Sequence, residues 1–382
     1  MHIAYVCADP GVPVFGAKGC SLHVQAVLRV LLGRGHRVTL LCANQGGDPP
    51  PDLGAVVIVP LPRLATRNPA TLPAAVQQLA EACREALSRC ADLDLIYERH
   101  ALWSFSAIEA GATCGIPTCL EVNAPLLQEQ KQYRTLHHPH LAEELVKRVY
   151  QAASTIIAVS SQVAVTIRRQ CPQVNRLHVV HNGVDVQRFQ SRSERHPDQG
   201  LSIGFCGSLR PWHGVVDLID AFAHHSRRQP ASRLTIIGDG PEREAIESRI
   251  AHHGLQAHVH LSGQVAPDEI PDWLSRLDVG VAPYPALQEM YFSPLKLFEY
   301  LAAGLCPVAP RLGDIPDLIE DHRTGLLYDA GDLDQLTAVF DHLSLFPDLH
   351  RRIGGLGRAL AQERHSWDAV VDRVFDLVDL SA

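Results

Sequence analysis

The sequence has no excess of positive charge. Its 34 lysines and arginines stand against 42 aspartates and glutamates, a net charge of −8. That balance argues against a dedicated nucleic-acid binder, whose affinity rests on neutralising phosphates. Long apolar runs are also missing. The long uncharged stretch through Gln151 to Ile167 is interrupted by Gln, Ser and Thr, short of the roughly 20 apolar residues a membrane span needs. No basic stretch precedes an apolar run at Met1–Val6, so a secretory leader is not expected. The expectation is a cytoplasmic chain without a nucleic-acid partner, peripheral membrane contact being open but not indicated.

The ten cysteines include no C-x-x-C pair and follow no regular spacing, so they are expected to be buried thiols and not metal or redox ligands. Among 21 histidines there is no H-E-x-x-H. His137-His138-Pro139-His140 lies in a polar loop, and His258 and His260 alternate along an expected strand, where solvated or packed histidine is the ordinary outcome. Asp92-Leu93-Asp94 precedes a strand and reads as a turn. No metal site is expected. The loop after the first strand, Asp9 to Gly19, lacks G-x-G-x-x-G, which disfavours a nicotinamide dehydrogenase.

What is present is a chain of 382 residues, 46% apolar and 20% charged. That is too long for one ordinary domain and normal for a soluble globular protein, so two domains are expected. From Ile3, short apolar strands alternate with helices. Val24, Val27, Leu28 and Leu31 recur at helical spacing, Gly33 and Gly35 mark the end of that helix, and Arg37 to Ala43 is the second strand. Further strands are expected at 56–59, 95–98, 117–122, 155–159 and 177–180, with helices near 74–90, 102–113, 141–153 and 161–170. Nearly uniform apolar strands separated by helices predict a parallel sheet covered on both faces.

The pattern restarts at Ser202 to Cys206. A loop, Gly207 to Gly214, is followed by a helix carrying Val215, Leu218, Ile219 and Phe222, then a strand at Leu234 to Ile237. The fold class is α/β, two doubly wound Rossmann-like domains facing across a cleft. The hydrophilic stretch from Gln187 to Gly200 reads as the linker. The expected division is 1–186 for the first domain and 187–366 for the second. A last amphipathic helix in 367–382 could pack back across the hinge.

The most informative stretch is Ser293 to Gly304. Ser293 is a suitable N-cap, Pro294 fits the first helical position and Gly304 the residue past the end, framing a helix of about three turns. Its free amides at Leu295 and Lys296, the dipole and the lysine would favour an anion such as a diphosphate. Glu299 lies three residues on, about 4.5 Å along the axis, where a carboxylate could accept both hydroxyls of a ribose. A surface helix with a Lys–Glu pair is the plain alternative. In the Gly207–Gly214 loop, Arg210 alone would be a solvated arginine. With Lys296 it would place two cations on one diphosphate and so neutralise a leaving group without a metal. Gly16 to Gly19 could approach the same diphosphate, and Asp239, in Gly238-Asp239-Gly240-Pro241-Glu242, could meet a base or ribose or close a plain turn.

At these residues the chain resembles glycosyltransferase family 4, retaining sugar-nucleotide transferases of the GT-B fold. The resemblance runs through the glycine loop before Ser21, HNGVD at His181 to Asp185, IGDGPER at Ile237 to Arg243 and SPLKLFEYLAAGLCPVAP at Ser293 to Pro310. It implies that Glu299 is the later glutamate of the family's E-x7-E motif and holds the ribose. The earlier position is Tyr291, and Glu289 is out of register. The family's arginine and lysine positions in the basic loop match Ser208 and His213, so Arg210 would substitute from a neighbouring position.

By that resemblance Arg210, Lys296 and Glu299 carry catalysis, and Gly16, Gly19, Gly207, Asp239, Ser293, Pro294 and Leu295 bind the donor. Arg99 and His100, where members place a histidine after the fourth strand, join Asn123 and Tyr291 as candidates near the donor sugar or acceptor. The implied reaction moves a sugar, with retention, from a UDP- or GDP-type donor to a hydroxyl on a saccharide, aminocyclitol or lipid-linked glycan. It needs no metal and no cofactor beyond the nucleotide-sugar co-substrate. Asn123 to His140 is expected to shape acceptor choice. Two other uses of the fold stay open, a sugar-nucleotide epimerase or hydrolase and a non-catalytic sugar-nucleotide-binding subunit.

Overall fold

Alternation of short apolar strands with amphipathic helices produces two parallel sheets in the computed structural model, which describes residues 1–64, 68–189, 200–287, 290 and 292–378. In chain order the first group is β1 (His2–Cys7), α1 (Gly19–Gly33), β2 (Arg37–Cys42), β3 (Val57–Pro60), α2 (Leu72–Ser88), β4 (Leu95–Arg99), α3 (Ser106–Cys114), β5 (Thr118–Val122), α4 (Leu126–Tyr133), α5 (Pro139–Ala152), β6 (Thr155–Ala158), α6 (Ser161–Gln170) and β7 (Leu177–Val179). The second is β8 (Ser202–Cys206), α7 (Val215–Arg228), β9 (Arg233–Ile237), α8 (Arg243–His252), β10 (Val259–Leu261), α9 (Ile270–Leu274), β11 (Val279–Val281), α10 (Leu295–Ala302), β12 (Cys306–Pro310), α11 (Ile315–Leu318), β13 (Leu326–Tyr328), α12 (Leu333–Leu345) and α13 (Pro347–Arg364), with α14 (Trp367–Leu377) closing the chain.

The chain divides into two units, Met1–Asn182 with the C-terminal helix α14, and Gly183–Met290 with Pro294–Ser366. In the first, seven parallel strands run in the order β3-β2-β1-β4-β5-β6-β7. Side-chain alternation along β1 splits its residues between two cores: Ala4 and Val6 face the helices α2, α3 and α5, while Ile3, Tyr5 and Cys7 face α1 and α14. Val370, Val371 and Val374 of α14 pack into that second core beside Val24 and Leu28, and Arg34 Nη1 meets the Asp372 carboxylate at 2.8 Å. Each such aliphatic side chain taken from water contributes roughly 1.5–3 kcal/mol, so α14 is an integral cover of the first sheet. Leu145 and Val149 of α5 are buried, and the half-buried Leu141 packs on the same core.

The second sheet runs β10-β9-β8-β11-β12-β13, again all parallel. The chain enters this unit and leaves it side by side, Val184 N donating to His365 O at 2.7 Å. Most of the expected linker, residues 190–199, lies outside the described residues.

Some sequence expectations need correction. α4 forms between Asn123 and His140, where the sequence pattern assigns no helix. The expected helix near 102–113 begins only at Ser106, because Ala101–Ser104 is a turn leaving β4. Of the ten cysteines, all free, seven are buried; Cys20 and Cys90 are half-buried and Cys114 is exposed at the end of α3. Among the described residues no helix is long and apolar enough to cross a membrane.

Candidate active site

In each sheet the strand order reverses once, between β1 and β4 in the first and between β8 and β11 in the second. Open parallel sheets bind ligands beyond the carboxyl ends of their strands at such a reversal. In the second unit two loops interlock there. Gly207 N donates to Ile237 O at 2.9 Å, Leu209 N to Asp239 O at 3.0 Å and Glu242 N to Leu209 O at 3.1 Å. The crossing needs glycine: Gly238 has φ of 137°, and a Cβ there would stand 2.0 Å from Gly207 O. Gly214, at φ 66°, closes the loop so tightly that a Cβ would lie 1.9 Å from Pro283 O, in the segment after β11.

Helix α10 fixes the cation. Its C-terminus is locked by Gly304 at φ 70°, with Gly304 N donating to Leu301 O and Leu305 N to Tyr300 O, both at 3.0 Å, the paired bonds of a Schellman motif. Tyr300 pins the helix under the sheet: its hydroxyl accepts from Cys206 N at 2.9 Å and donates to Val281 O at 3.2 Å. Its ring fills the space over Gly280, where a Cβ would come within 2.4 Å of it. One turn earlier on the same face is Lys296.

The N-terminus differs from the expectation. Pro294 stands at the cap with φ −78° and ψ 68°, the helix has eight residues instead of three full turns, and Ser293 does not cap it. The Ser293 hydroxyl is instead buried without a hydrogen-bond partner among the described residues. The reason is that proline at the cap puts Leu295 first in the helix, so a side chain before Pro294 is one residue too early to reach the amides that a cap serves.

Lys296 is only 7% exposed. Its Nζ lies 4.8 Å from the Phe205 ring centroid and 4.6 Å from that of Tyr284, in the range of cation–π contact. It has no hydrogen-bond partner among the described residues, although an ammonium has three donors to satisfy. Burial lowers its pKa to about 7, against the pull of Cys206 and Glu299. A Cβ on Gly207 would touch Lys296 Cε at 3.4 Å and Nζ at 3.6 Å, so the glycine leaves the loop backbone against the cation. Glu299, half-buried one turn on, has its carboxyl pushed up by burial and drawn down by Arg188 and Lys296.

His213 is not a second cation. Burial, Lys296 and Arg210 lower its pKa to about 4, although Nδ1 faces the Ser208 carbonyl. Both charges therefore act on one imidazole. Arg210 is exposed and lies with its guanidinium 5.6 Å from the Trp212 ring centroid. Asp239 is exposed, accepts from Gly240 N at 2.7 Å and meets Arg243 at 3.3 Å. Leu295, 43% exposed, opens α10, and the amides of the first turn have no acceptor within the helix. The structure thus brings Gly207, Arg210, Asp239, Pro294, Leu295, Lys296 and Glu299 to one end of one sheet. Tyr291 lies outside the described residues, as does Glu289.

The first unit holds the other candidates. Gly19 opens α1 without a side-chain cap, and Gly16 O accepts from Gln25 Nε2 at 2.9 Å, which ties the loop to that helix. Arg99 and Asn123 meet on the buried carboxylate of Glu121, Arg99 Nη1 at 3.3 Å. The Tyr97 hydroxyl donates to the same carboxylate, and His23 Nε2 lies 2.9 Å from it. Burial raises the Glu121 pKa, but His23, Arg99 and Tyr97 outweigh it and hold the carboxyl well below its usual range. His100 does not join this cluster. It faces Tyr150 on the opposite side of β4, its Nδ1 has no partner among the described residues, and burial lowers its pKa to about 4.

Glu121, His23, Phe205, Tyr284 and Tyr300 do not stand out in the sequence. The available signal is positional: Phe205 and Glu121 stand one residue inside the carboxyl ends of β8 and β5, and Tyr284 follows β11. Among the described residues no three His, Cys, Asp or Glu side chains are grouped to hold a metal ion.

Two family models match the chain, Glycosyltransferase Family 4 over residues 17–188 and Glycosyl transferases group 1 over 200–344. An MMP alpha-(1->4)-mannosyltransferase of Mycolicibacterium hassiacum is 28% identical over 300 residues, 76% of this chain and 71% of the relative. A GDP-mannose-dependent alpha-(1-6)-phosphatidylinositol monomannoside mannosyltransferase of Mycobacterium tuberculosis is 25% identical over 62% of this chain and 65% of its own. Among solved structures, Anabaena HepE in complex with UDP superposes with a TM-score of 0.71 at 17% identity, covering 98% of this chain and 99% of that one. Sucrose-phosphate synthase from Thermosynechococcus elongatus gives 0.72 at 18% identity, covering 98% of each. The chain belongs to the family 4 glycosyltransferases and has their GT-B fold.

Proposed function

We propose that this glycosyltransferase is retaining and metal-independent, and that it holds the diphosphate of a GDP- or UDP-linked sugar between Lys296, Arg210 and the first turn of α10. The observation that carries the reading is the Lys296 ammonium, buried between Phe205 and Tyr284 with no acceptor among the described residues. A nucleoside diphosphate supplies what that group lacks, oxygen acceptors and negative charge. Developing charge on the leaving diphosphate is met by two fixed cations and by backbone amides in place of a metal ion. Glu299 accepts from the ribose hydroxyls, and Asp239 and Gly207 lie along the same loops.

Nucleotide preference is supported by relatives: one is GDP-mannose-dependent by name, and a solved neighbour was crystallised with UDP. We assign the acceptor to the first unit, as a hydroxyl of a saccharide, a cyclitol or a lipid-linked glycan, and the reaction to the cytoplasm. In that unit Arg99 and Asn123, held by Glu121, and the Gly16–Gly19 loop at the start of α1 are the groups that contact donor sugar or acceptor.

A donor and acceptor screen read by mass spectrometry, with product anomers assigned by NMR, tests the reading. Transfer that persists in chelator, keeps the donor's anomeric configuration and falls about 10²-fold or more in Arg210→Ala is the expected result. Full activity in that variant, an inverted product or an absolute need for added metal would overturn it.

A further inference from the structure

The interlocked loops of the second unit carry two arginines, held in opposite ways. Arg243, where α8 begins, meets the Asp239 carboxylate at 3.3 Å and that of Glu247 at 2.8 Å, so its charge is answered inside the protein. Arg210 has no hydrogen bond or ion pair among the described residues. What it has is the Trp212 ring, whose centroid lies 5.6 Å from the guanidinium carbon. An exposed arginine ordinarily samples many rotamers, and ordering it when a ligand arrives costs affinity. A carboxylate would order it but cancel its charge; an aromatic face orders it and leaves the charge in place.

The local sequence fixes where that face stands. Leu209 is buried and bonded through both its amide and its carbonyl to the neighbouring loop. Pro211 then opens a single 3₁₀ turn ending at His213, closed by His213 N donating to Arg210 O at 2.9 Å, and Gly214 in the left-handed region terminates it. Arg210 and Trp212 thus leave one rigid turn. Trp212 is 46% exposed, so its ring gives the core little. His213 connects it to the buried cation: the imidazole lies 6.1 Å from Trp212, edge-on, and 6.0 and 6.1 Å from Phe205 and Tyr284, the two rings that flank the Lys296 ammonium. Since the Ser208 carbonyl can only accept, His213 Nδ1 carries the proton between them. The ring is neutral at pH 7 and joins the two aromatic cradles without adding a third positive charge.

We infer that Trp212 is a positioning residue for the transfer: its indole face presets the Arg210 guanidinium for the diphosphate, as Phe205 and Tyr284 do for the Lys296 ammonium. Both cations of the site are then held by aromatic faces and stay free for phosphate oxygens. The inference rests on the donor site proposed above and adds to it a residue that acts through Arg210.

Calorimetric titration of the full chain with UDP and with GDP tests it, on the parent, Trp212→Phe, Trp212→Leu, Arg210→Ala and the double variant Trp212→Leu/Arg210→Ala, with the melting temperature of each protein confirming that it is folded. Arg210→Ala should weaken binding of the preferred nucleotide by about tenfold or more. Trp212→Leu, which keeps an apolar side chain but has no π face, should weaken it by about threefold to fivefold, and Trp212→Phe should recover most of that loss. In the Arg210→Ala background the leucine change should alter the affinity by less than about twofold, because nothing is left to position; a ring that only supported the loop would cost the same in both backgrounds. Equal losses with and without Arg210, a phenylalanine no better than leucine, or full affinity in Trp212→Leu while Arg210→Ala binds weakly refutes the role of Trp212 alone. If Arg210→Ala binds as tightly as the parent, or the parent binds neither nucleotide, the donor-site reading fails and the inference falls with it.

Discussion

Replacing Lys296 by methionine moves stability and donor affinity in opposite directions. The side chain keeps its length and its place between Phe205 and Tyr284 but loses the ammonium that finds no acceptor among the described residues. Burial lowers the lysine from its ordinary 10.5 to about 7. Every tenfold weakening of proton binding corresponds to about 1.4 kcal/mol, so holding the ammonium in the fold costs at most about 5 kcal/mol. A folded pKa below the unfolded one means that the unfolded chain binds the extra proton between pH 7 and 10.5; stability therefore rises with pH across that window. The methionine variant should be more stable than the parent at pH 7, and its advantage should shrink towards pH 10.5. Urea unfolding at pH 7 and pH 10, followed by tryptophan fluorescence, measures both. A variant less stable at pH 7, or an advantage indifferent to pH, would refute the claim that the lysine is buried at a cost in order to meet a ligand.

Three other outcomes follow from distances in the structure. Gly238→Ala puts a Cβ within 2.0 Å of Gly207 O and at a φ hostile to side chains, so it should cost more than about 1 kcal/mol and weaken nucleotide binding, read by melting with and without UDP or GDP. Glu121→Leu leaves Arg99 and His23 without their carboxylate and should destabilise by about 3–5 kcal/mol, seen as a lower urea midpoint at pH 7. Because the folded Glu121 pKa is depressed, its contribution is present above the unfolded carboxyl pKa and is lost as pH falls through the folded value; the gap between the variant and the parent should narrow in acid. Glu299→Gln keeps the shape but weakens acceptance from ribose hydroxyls, and should raise the donor KM by about tenfold, with less change when the donor is a 2′-deoxynucleotide.

Much of the fold is legible in the sequence because parallel sheets impose a simple pattern. β1, β5, β6 and β8 read as short apolar runs since both of their faces are covered, and the spacing of Val24, Val27, Leu28 and Leu31 marks the buried side of α1. Lys296 and Glu299 are legible as a pair because three residues of helix place them on one side of α10. What the spacing cannot carry is depth. Lys296 looks like a surface lysine until Tyr300, by hydrogen bonding to Cys206 and Val281 on two strands, pulls the helix under the sheet. Ser293 misleads for a local reason, since a serine before proline has the composition of a cap while proline itself occupies the cap position. α4 is hidden because Gln128, Glu129, Gln130 and Lys131 give it only one buried residue, Leu127. The cluster at Glu121 joins α1, β4 and the end of β5, segments distant in sequence, and such pairings have no periodic signature.

Calorimetric titration with UDP and GDP near pH 8, in two buffers of different ionisation enthalpy, tests the central claim most directly. At that pH the free Lys296 amine is mostly neutral and must charge to hold a diphosphate. The account predicts uptake of about one proton per nucleotide bound and an affinity that weakens about tenfold per pH unit above 7, both absent in the methionine variant. Nucleotide binding with no proton uptake, or binding just as tight without the lysine, would contradict it.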